Sequence, residues 1–290
     1  MLSRQNNPNN NPNSNRSVIA ALALMATLGV TCEMARAHDE SKFPDFSGQW
    51  FRTYGGNPRY DPTKPLRKQE APLTAEYQAR FEASMKDQDE GGQGLDRGYT
   101  CLPQGMPRQM SGVSPFEFLF TPTITYMLFQ RTEFPPRRIY TDGRAWPQTE
   151  ETWFTGYSIG KWLDTDNDGR YDTLEVETRH LRGPRVWDQS GMPMGDENTT
   201  VIKERIYLDK SDPGTLRVEM TTIDSSLTRP WTVMKIFKRQ EPVWWTEDNC
   251  PEGQAWVTIG DEVYYLSGDG TIMPSKKGQQ PPDLKYFKRD

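Results

Sequence analysis

Apolar and polar residues alternate with a period of two along most of the chain after Phe46, in short segments rich in aromatic and β-branched residues. This alternation is typical of half-buried β-strands, because successive side chains of a strand point to opposite faces of a sheet. Turn-forming residues separate the segments. The pattern predicts strands at Gln49–Arg52, Glu117–Thr121, Thr125–Gln130, Arg138–Thr141, Gly156–Leu163, Thr173–Arg179, Thr200–Asp209, Thr215–Ile223, Thr232–Arg239, Trp256–Ile259 and Glu262–Leu266.

One segment has helical spacing instead. Tyr77, Phe81 and Met85 recur every fourth residue, and Gly91-Gly92 would end a helix that carries them. The sequence therefore predicts a single helix with these three side chains on its inner face.

The order of these elements predicts the fold class. Many short strands joined mostly by turns favour a mainly β protein, in which one antiparallel meander closes into a lipocalin-like barrel or packs as a two-sheet sandwich. No βαβ alternation, Rossmann turn or P-loop is visible. We expect residues 38–290 to form one domain, decorated by the segments 69–98 and 242–290.

The first 37 residues have the layout of a secretory signal peptide. Arg4 and Arg16 precede the apolar run Val18–Val30, and the small-residue triplet Ala35-Arg36-Ala37 follows. The run is shorter than the roughly 20 residues that a membrane-spanning helix needs. We therefore expect a periplasmic or secreted protein whose mature form has no membrane span.

The cysteines fit this expectation. Cys32 lies in the expected signal peptide, which leaves Cys101 and Cys250 in the mature chain. In an oxidising compartment these two are expected to form a disulfide, and two buried free thiols are the alternative.

Composition and charge exclude several functions. The chain has 40 acidic and 35 basic residues, for a net charge of −5, which argues against a nucleic-acid partner because phosphate recognition needs a clustered basic surface. With only two histidines and three cysteines, no Ser/His/Asp triad with spare histidines and no Cys/His zinc cluster can be assembled. A copper site with His38 at the mature N-terminus and His180 as a further ligand would require cleavage at that bond.

The segment 164–175 matches the twelve-position calcium loop D-x-D-x-D-G-x₅-E. Oxygen ligands at alternate positions point inward as the chain winds around an ion, and Gly169 permits the sharp bend. The alternative is a solvated acidic turn. We expect a structural calcium ion in a β context, with ligands from Asp164, Asp166, Asp168, Arg170 through its carbonyl, Asp172 and a bidentate Glu175.

Four ordered motifs suggest a family. They are Cys101-Leu102-Pro103-Gln104-Gly105-Met106-Pro107-Arg108, Arg137-Arg138-Ile139-Tyr140-Thr141-Asp142-Gly143-Arg144, Gly156-Tyr157-Ser158-Ile159-Gly160-Lys161-Trp162 and Thr228-Arg229-Pro230-Trp231-Thr232. Together they resemble a widespread group of exported bacterial β-rich proteins without an assigned activity, from about Phe46 to Phe287. Ser47-Gly48-Gln49-Trp50 is also similar to the Gly-x-Trp start of lipocalin-like barrels. The resemblance implies export and a β-rich fold, but no particular reaction.

Two clusters are candidate sites. Arg138, Tyr140, Asp142 and Arg144 alternate, so on a continuing strand they would share one face and could hold an anionic or phenolic ligand. The alternative is that Asp142-Gly143 is a hairpin turn and the arginines are solvated, with Arg138 and Tyr140 still open as cavity residues.

The second cluster combines carboxylates with tryptophans. Asp188 follows Trp187, and Glu204 lies on the next predicted strand. Burial beside Trp162, Trp187 or Trp231 would raise a carboxyl pKa and suit that carboxyl for acid–base chemistry. The alternative is that the tryptophans only build the core and that Glu204 pairs across strands.

The sequence leaves three functions open. The first is a barrel that binds a small apolar or aromatic molecule through Arg138, Arg144, Trp162, Trp187 and Trp231, with calcium as a brace. The second is an acid–base enzyme, a lyase, isomerase or hydratase, that uses Tyr140, Asp188 or Glu204 in the same cavity. The third is an envelope interaction protein without a pocket. The oligomeric state is open.

Overall fold

The structure is a computed structural model of the 290-residue chain. It describes residues 39–52, 60–61, 63, 70–92, 94–96, 98, 102–112, 114–195, 197–245, 256–260, 262–266 and 272–280. The expected signal peptide, His38, Cys101 and Cys250 lie outside the described residues. Glu40–Asp290 groups into one compact unit.

Strands dominate the described residues, as the alternation predicts. The strands are β1 (Gln49–Arg52), β2 (Phe116–Phe120), β3 (Ile124–Phe129), β4 (Arg137–Tyr140), β5 (Tyr157–Leu163), β6 (Thr173–Arg179), β7 (Val201–Leu208), β8 (Thr215–Ile223), β9 (Trp231–Gln240), β10 (Trp256–Ile259), β11 (Glu262–Leu266) and β12 (Ile272–Pro274). Strands β1 to β9 form a closed barrel in sequence order, and β10 to β12 form a separate antiparallel sheet. The predicted mainly β fold with a closed barrel is confirmed.

The barrel closes by antiparallel pairing of β1 with β9, in which Trp50 lies opposite Arg239. All neighbouring strands pair antiparallel except β4 and β5, which are parallel. The expected pure meander is therefore wrong at this one junction. Residues 141–156 form a connection long enough to carry the chain back to the same end of the barrel, which parallel pairing requires.

Side chains along β6 and β7 alternate between the inside and the outside of the barrel. Leu174 and Ile206 are buried in the barrel, opposite each other in the register. Glu175 and Arg205, one residue along, lie on the outer face, where their charged atoms are 3.5 Å apart. Closure of the barrel thus buries one face of each strand and leaves the other to solvent.

The segment before β1 covers one end of the barrel. Phe46 is buried against Phe118, with ring centroids 4.8 Å apart. Its carbonyl accepts a hydrogen bond of 3.0 Å from Nε1 of Trp50, which is fully buried and lies 4.9 Å below the Arg239 guanidinium group. Because the indole N–H has an acceptor, Trp50 is buried without an unpaired donor, and its ring face contacts the Arg239 guanidinium group.

A single α-helix, α1 (Ala75–Asp89), occurs in the described residues, as predicted. Thr74 caps it by accepting a hydrogen bond from the Tyr77 backbone N–H. Tyr77 is buried and Phe81 packs on the core. No helix among the described residues is long and apolar enough to cross a membrane.

Candidate functional sites

The barrel interior contains a fully buried ion pair between Arg137 of β4 and Glu204 of β7. Arg137 Nη1 donates to Glu204 Oε1 at 3.0 Å, and Nη2 donates to Glu204 Oε2 and to Thr178 Oγ1. Thr178 in turn shares a hydrogen bond of 2.8 Å with Ser158. Because both carboxylate oxygens are occupied, we assign Glu204 as the counter-ion of Arg137 and not as the catalytic candidate of the acid–base hypothesis.

The structure corrects the position expected for Arg138 and Tyr140. Arg138 and Tyr140 lie on the outer face of β4, while Arg137 and Ile139 point into the barrel. From the residue types of this strand, either Arg137 or Arg138 could point inward, and only closure of the barrel decides which one does. Arg138 and Tyr140 therefore do not line the barrel interior.

Tyr140 belongs to an aromatic and cationic cluster on the outer surface. Its ring stacks on Tyr157 at 4.8 Å, and the Arg144 guanidinium lies 3.9 Å from the Tyr140 ring centroid. Arg144 also pairs with Asp142 at 2.6 Å, which holds the pKa of that carboxyl below its usual range. His180 packs beside this cluster against Trp146 and Trp153.

The predicted tryptophan ligands lie at two opposite ends of the barrel. Trp162 packs against Phe46 and Phe120 at the end covered by the N-terminal segment. Trp187 and Trp231 contact each other at the other end, with ring centroids 4.8 Å apart. The expected common pocket of these tryptophans with Arg138 and Arg144 is therefore not formed.

A cluster of buried ionisable groups lies beside Trp187. The Lys235 Nζ atom is 4.1 Å from the Trp187 ring centroid, and the side chain is 1% exposed. Burial lowers the pKa of Lys235 to about 7, although the charge of Asp188 opposes this change. Burial also raises the pKa of Asp188, whose Oδ1 accepts hydrogen bonds from Ser190 N at 3.0 Å and Ser190 Oγ at 2.5 Å.

Tyr60 completes this cluster. Its hydroxyl lies 3.4 Å from Ser190 Oγ, and burial raises the pKa of Tyr60 above its usual value. Sequence reasoning named Asp188 but missed Tyr60 and Lys235. Lys235 had a visible signal, because it occupies an inward position of β9 between Val233 and Phe237.

Three carboxylates of the predicted calcium loop come together between β5 and β6. Single carboxylate oxygens of Asp164, Asp166 and Asp168 lie within 4.8 Å of one another. Asp164 also accepts hydrogen bonds from the backbone N–H groups of Asp168 and Gly169, at 3.1 and 2.9 Å. Gly169 has a φ of +88°, which favours glycine and lets the loop wrap around the carboxylates.

The predicted carboxylate ligands Asp172 and Glu175 do not belong to this group. Glu175 lies on the outer face of β6 beside Arg205, at 3.5 Å. Asp172 accepts hydrogen bonds from Thr165 N and Oγ1, at 3.2 and 2.5 Å. The Arg170 backbone N–H donates to Asp168 at 2.8 Å.

A surface groove of about 980 Å³ runs beside the acidic loop. Its floor is the outer face of β6 to β8, which presents Arg205, Tyr207 and Arg217, and the turn between β7 and β8 forms its far side. Lys210 on that turn bridges to Asp166 at 3.0 Å and lowers the pKa of this carboxyl. The groove therefore combines aromatic rings with four basic side chains and four acidic ones, which are Asp166, Asp168, Asp172 and Asp209.

Fold and sites together define the class: a closed nine-stranded β-barrel protein with a charged interior, an acidic loop and an adjoining groove. Comparison of the chain with family models, with curated proteins and with solved structures found no match.

Proposed function

We propose that the protein is an exported β-barrel protein that binds a small aromatic acid in the groove beside the β5–β6 loop, with calcium as a structural brace. The observation that carries this proposal is the groove itself, with its two tyrosines, Tyr171 and Tyr207, next to Arg170 and Arg205. Rings fix a flat apolar ligand, and guanidinium groups bind a carboxylate by charge-assisted hydrogen bonds.

The basic side chains of the groove differ in how closely they are paired with nearby carboxylates. Arg217 is held by Asp209 at 2.6 Å and Lys210 by Asp166. Arg205 is only loosely paired with Glu175, at 3.5 Å. Tyr171 is 37% exposed. We therefore assign the carboxylate of the ligand to Arg205 and its ring to the tyrosines.

The barrel interior is a poorer candidate for the aromatic acid than the groove. Its inward positions carry the Arg137–Glu204 pair and large buried side chains such as Trp50, Phe116 and Met127. The acid–base alternative is also less favoured at Tyr140 and Glu204. Tyr140 lies on the outer face, whereas Glu204 is bound in the core.

The calcium and export parts of the proposal rest on different observations. The clustered Asp164, Asp166 and Asp168 are oxygen ligands of the kind that Ca²⁺ prefers, and unneutralised carboxylates at this spacing repel one another. Export is supported by the signal-peptide layout of residues 1–37.

The experiment is calorimetric titration of the purified protein, in the presence of calcium at pH 7, with 2-naphthoate and with the neutral 2-naphthamide. We expect 2-naphthoate to bind at least roughly tenfold more tightly, because only the acid forms a charge-assisted hydrogen bond. Arg205→Gln should weaken 2-naphthoate binding by about the same factor.

Arg229→Gln is the matched control, because Arg229 is exposed on the turn between β8 and β9, at the opposite end of the barrel. It should leave the affinity unchanged. Equal affinity for acid and amide, or no effect of Arg205→Gln, would overturn the aromatic-acid site. Binding of neither compound would also do so and would favour an envelope partner.

A further inference from the structure

Lys235 occupies an unusual position for a lysine. It projects from β9 into the barrel and ends 4.1 Å from the ring centroid of the fully buried Trp187. We propose that Lys235 is a nucleophilic amine that forms an imine with an aromatic aldehyde or ketone taken into this end of the barrel.

The surroundings of the amine suit a flat carbonyl compound. Trp187, Trp231 and Tyr60 form a three-ring cluster with centroids 4.8 to 5.3 Å apart. Trp187 Nε1 is anchored by a hydrogen bond of 3.2 Å to Thr222 Oγ1, which fixes the ring beside the amine. All three rings are at most 4% exposed and pack against one another, so an aromatic ligand can bring its carbonyl carbon to Nζ only when movement of Trp187 opens a space beside the other two rings.

Imine formation needs a neutral amine, and the charges around Lys235 decide how much is present. Asp188 and Asp61 favour the protonated form, whereas burial and Arg52 oppose it. With the pKa lowered to about 7, roughly half of the amine is neutral at pH 7, against less than ~0.1% for an ordinary lysine of pKa about 10.4. Desolvation is a recognised way to activate a lysine for carbonyl chemistry.

The reaction balances without a redox partner. The Nζ lone pair attacks the carbonyl carbon, and the carbonyl oxygen takes up a proton to give a carbinolamine. The hydroxyl leaves as water after protonation, and loss of both nitrogen protons, one before this step and one after it, gives the imine. Asp188, whose pKa is raised by burial, is placed to supply and recover these protons, and as a carboxylate it would neutralise the protonated imine.

Access requires movement of the covering segment 185–194. This segment carries Trp187, Asp188 and Ser190 and contains no regular strand. It is held by backbone hydrogen bonds such as Trp187 N to the Met192 carbonyl, at 2.8 Å. The amine lies apart from the groove near Tyr207, so this inference does not depend on the proposed aromatic-acid site.

The test is reductive trapping of the folded protein with 2-naphthaldehyde and sodium cyanoborohydride at pH 7, followed by peptide mass spectrometry. We expect the secondary-amine adduct at Lys235 to form at least about tenfold faster than at the exposed Lys203. Its rate should be half-maximal near pH 7. Lys235→Met should remove this adduct, and Lys203→Met should leave it unchanged.

Adducts on exposed lysines with none at Lys235 in the folded protein, together with labelling of Lys235 after denaturation, would overturn the proposal. This comparison uses the wild-type chain alone, so it stays decisive even if Lys235→Met does not fold. An adduct at Lys235 that forms no faster than at Lys203 would also contradict an activated amine.

Discussion

Arg137 and Glu204 form a bidentate ion pair across the barrel interior, although 67 positions separate them in the sequence. Both side chains are completely buried. The attraction of two such charges roughly offsets the free energy of taking them out of water, but a single charge left alone has no compensation. Removal of either side chain is therefore expected to destabilise the fold, because it leaves the other charge buried without a counter-ion.

We predict that Glu204→Ala lowers the free energy of unfolding by about 3–5 kcal/mol, because it leaves Arg137 buried without a counter-ion. The double variant Arg137→Met/Glu204→Leu should recover most of this loss. Urea unfolding followed by tryptophan fluorescence measures both values. Equal stability of Glu204→Ala and the wild type would contradict the assignment of a structural pair.

Calcium should stabilise the protein through the β5–β6 loop. At calcium concentrations near ten times the Kd, we expect the melting temperature to rise by about 3–6 °C. Asp164→Ala should abolish the rise, because Asp164 belongs to the carboxylate group and also orders the loop backbone. Glu76→Gln, on the exposed face of α1, should keep it. A wild type without a calcium-dependent shift would exclude this site.

Lys210 should compete with calcium for Asp166. Its Nζ lies 3.0 Å from the Asp166 carboxylate, and this contact holds the pKa of the carboxyl below its usual value. We predict that Lys210→Met tightens calcium binding severalfold, since an ion no longer has to displace an ammonium group. Lys203→Met is the control. Lys203 lies on β7, the strand that leads into the turn with Lys210, but it pairs with Glu177. Calcium titration by calorimetry compares the three proteins, and weaker binding by Lys210→Met would count against the prediction.

The lowered pKa of Lys235 gives stability a defined pH dependence. In the folded state the amine loses its proton near pH 7, whereas in the unfolded chain it does so near 10.5. Between these values the unfolded state binds more protons, so this group makes the protein more stable as pH rises from about 7 to 10.5 and less stable as pH falls.

Lys235→Met should remove this contribution. The difference in unfolding free energy between variant and wild type should change by at most about 1.4 kcal/mol per pH unit across that window, and should be constant below it. Asp188 and Tyr60 have raised pKa values and act with the opposite sign, so the difference between proteins is the informative quantity. Chemical denaturation at pH 6, 7.5 and 9 measures it, and a difference that does not vary with pH would be inconsistent with a buried amine.

The cysteines remain a prediction from the sequence. If the protein is exported to an oxidising compartment, thiol titration of the denatured, unreduced mature chain should find no free thiol at Cys101 and Cys250. Detection of two free thiols would rule out the disulfide.

The strands were predictable because they depend on neighbouring residues. The expected bounds Gln49–Arg52, Thr173–Arg179 and Thr215–Ile223 agree with β1, β6 and β8, where alternation is regular and turn residues follow. The helix was predictable for the same reason, from apolar side chains spaced by about one helical turn. The acidic loop was found by its spacing, and three of its carboxylates do converge.

The composition of the core was decided by tertiary structure. Alternation at Arg137-Arg138 is compatible with either face, so only closure of the barrel shows that Arg137 is the buried residue. The partner of Glu204, the parallel pairing of β4 with β5 and the environment of Lys235 are likewise contacts between residues far apart in the chain. Local pattern determines which segments become strands, whereas burial, charge pairing and pKa depend on what closure of the barrel places beside each side chain.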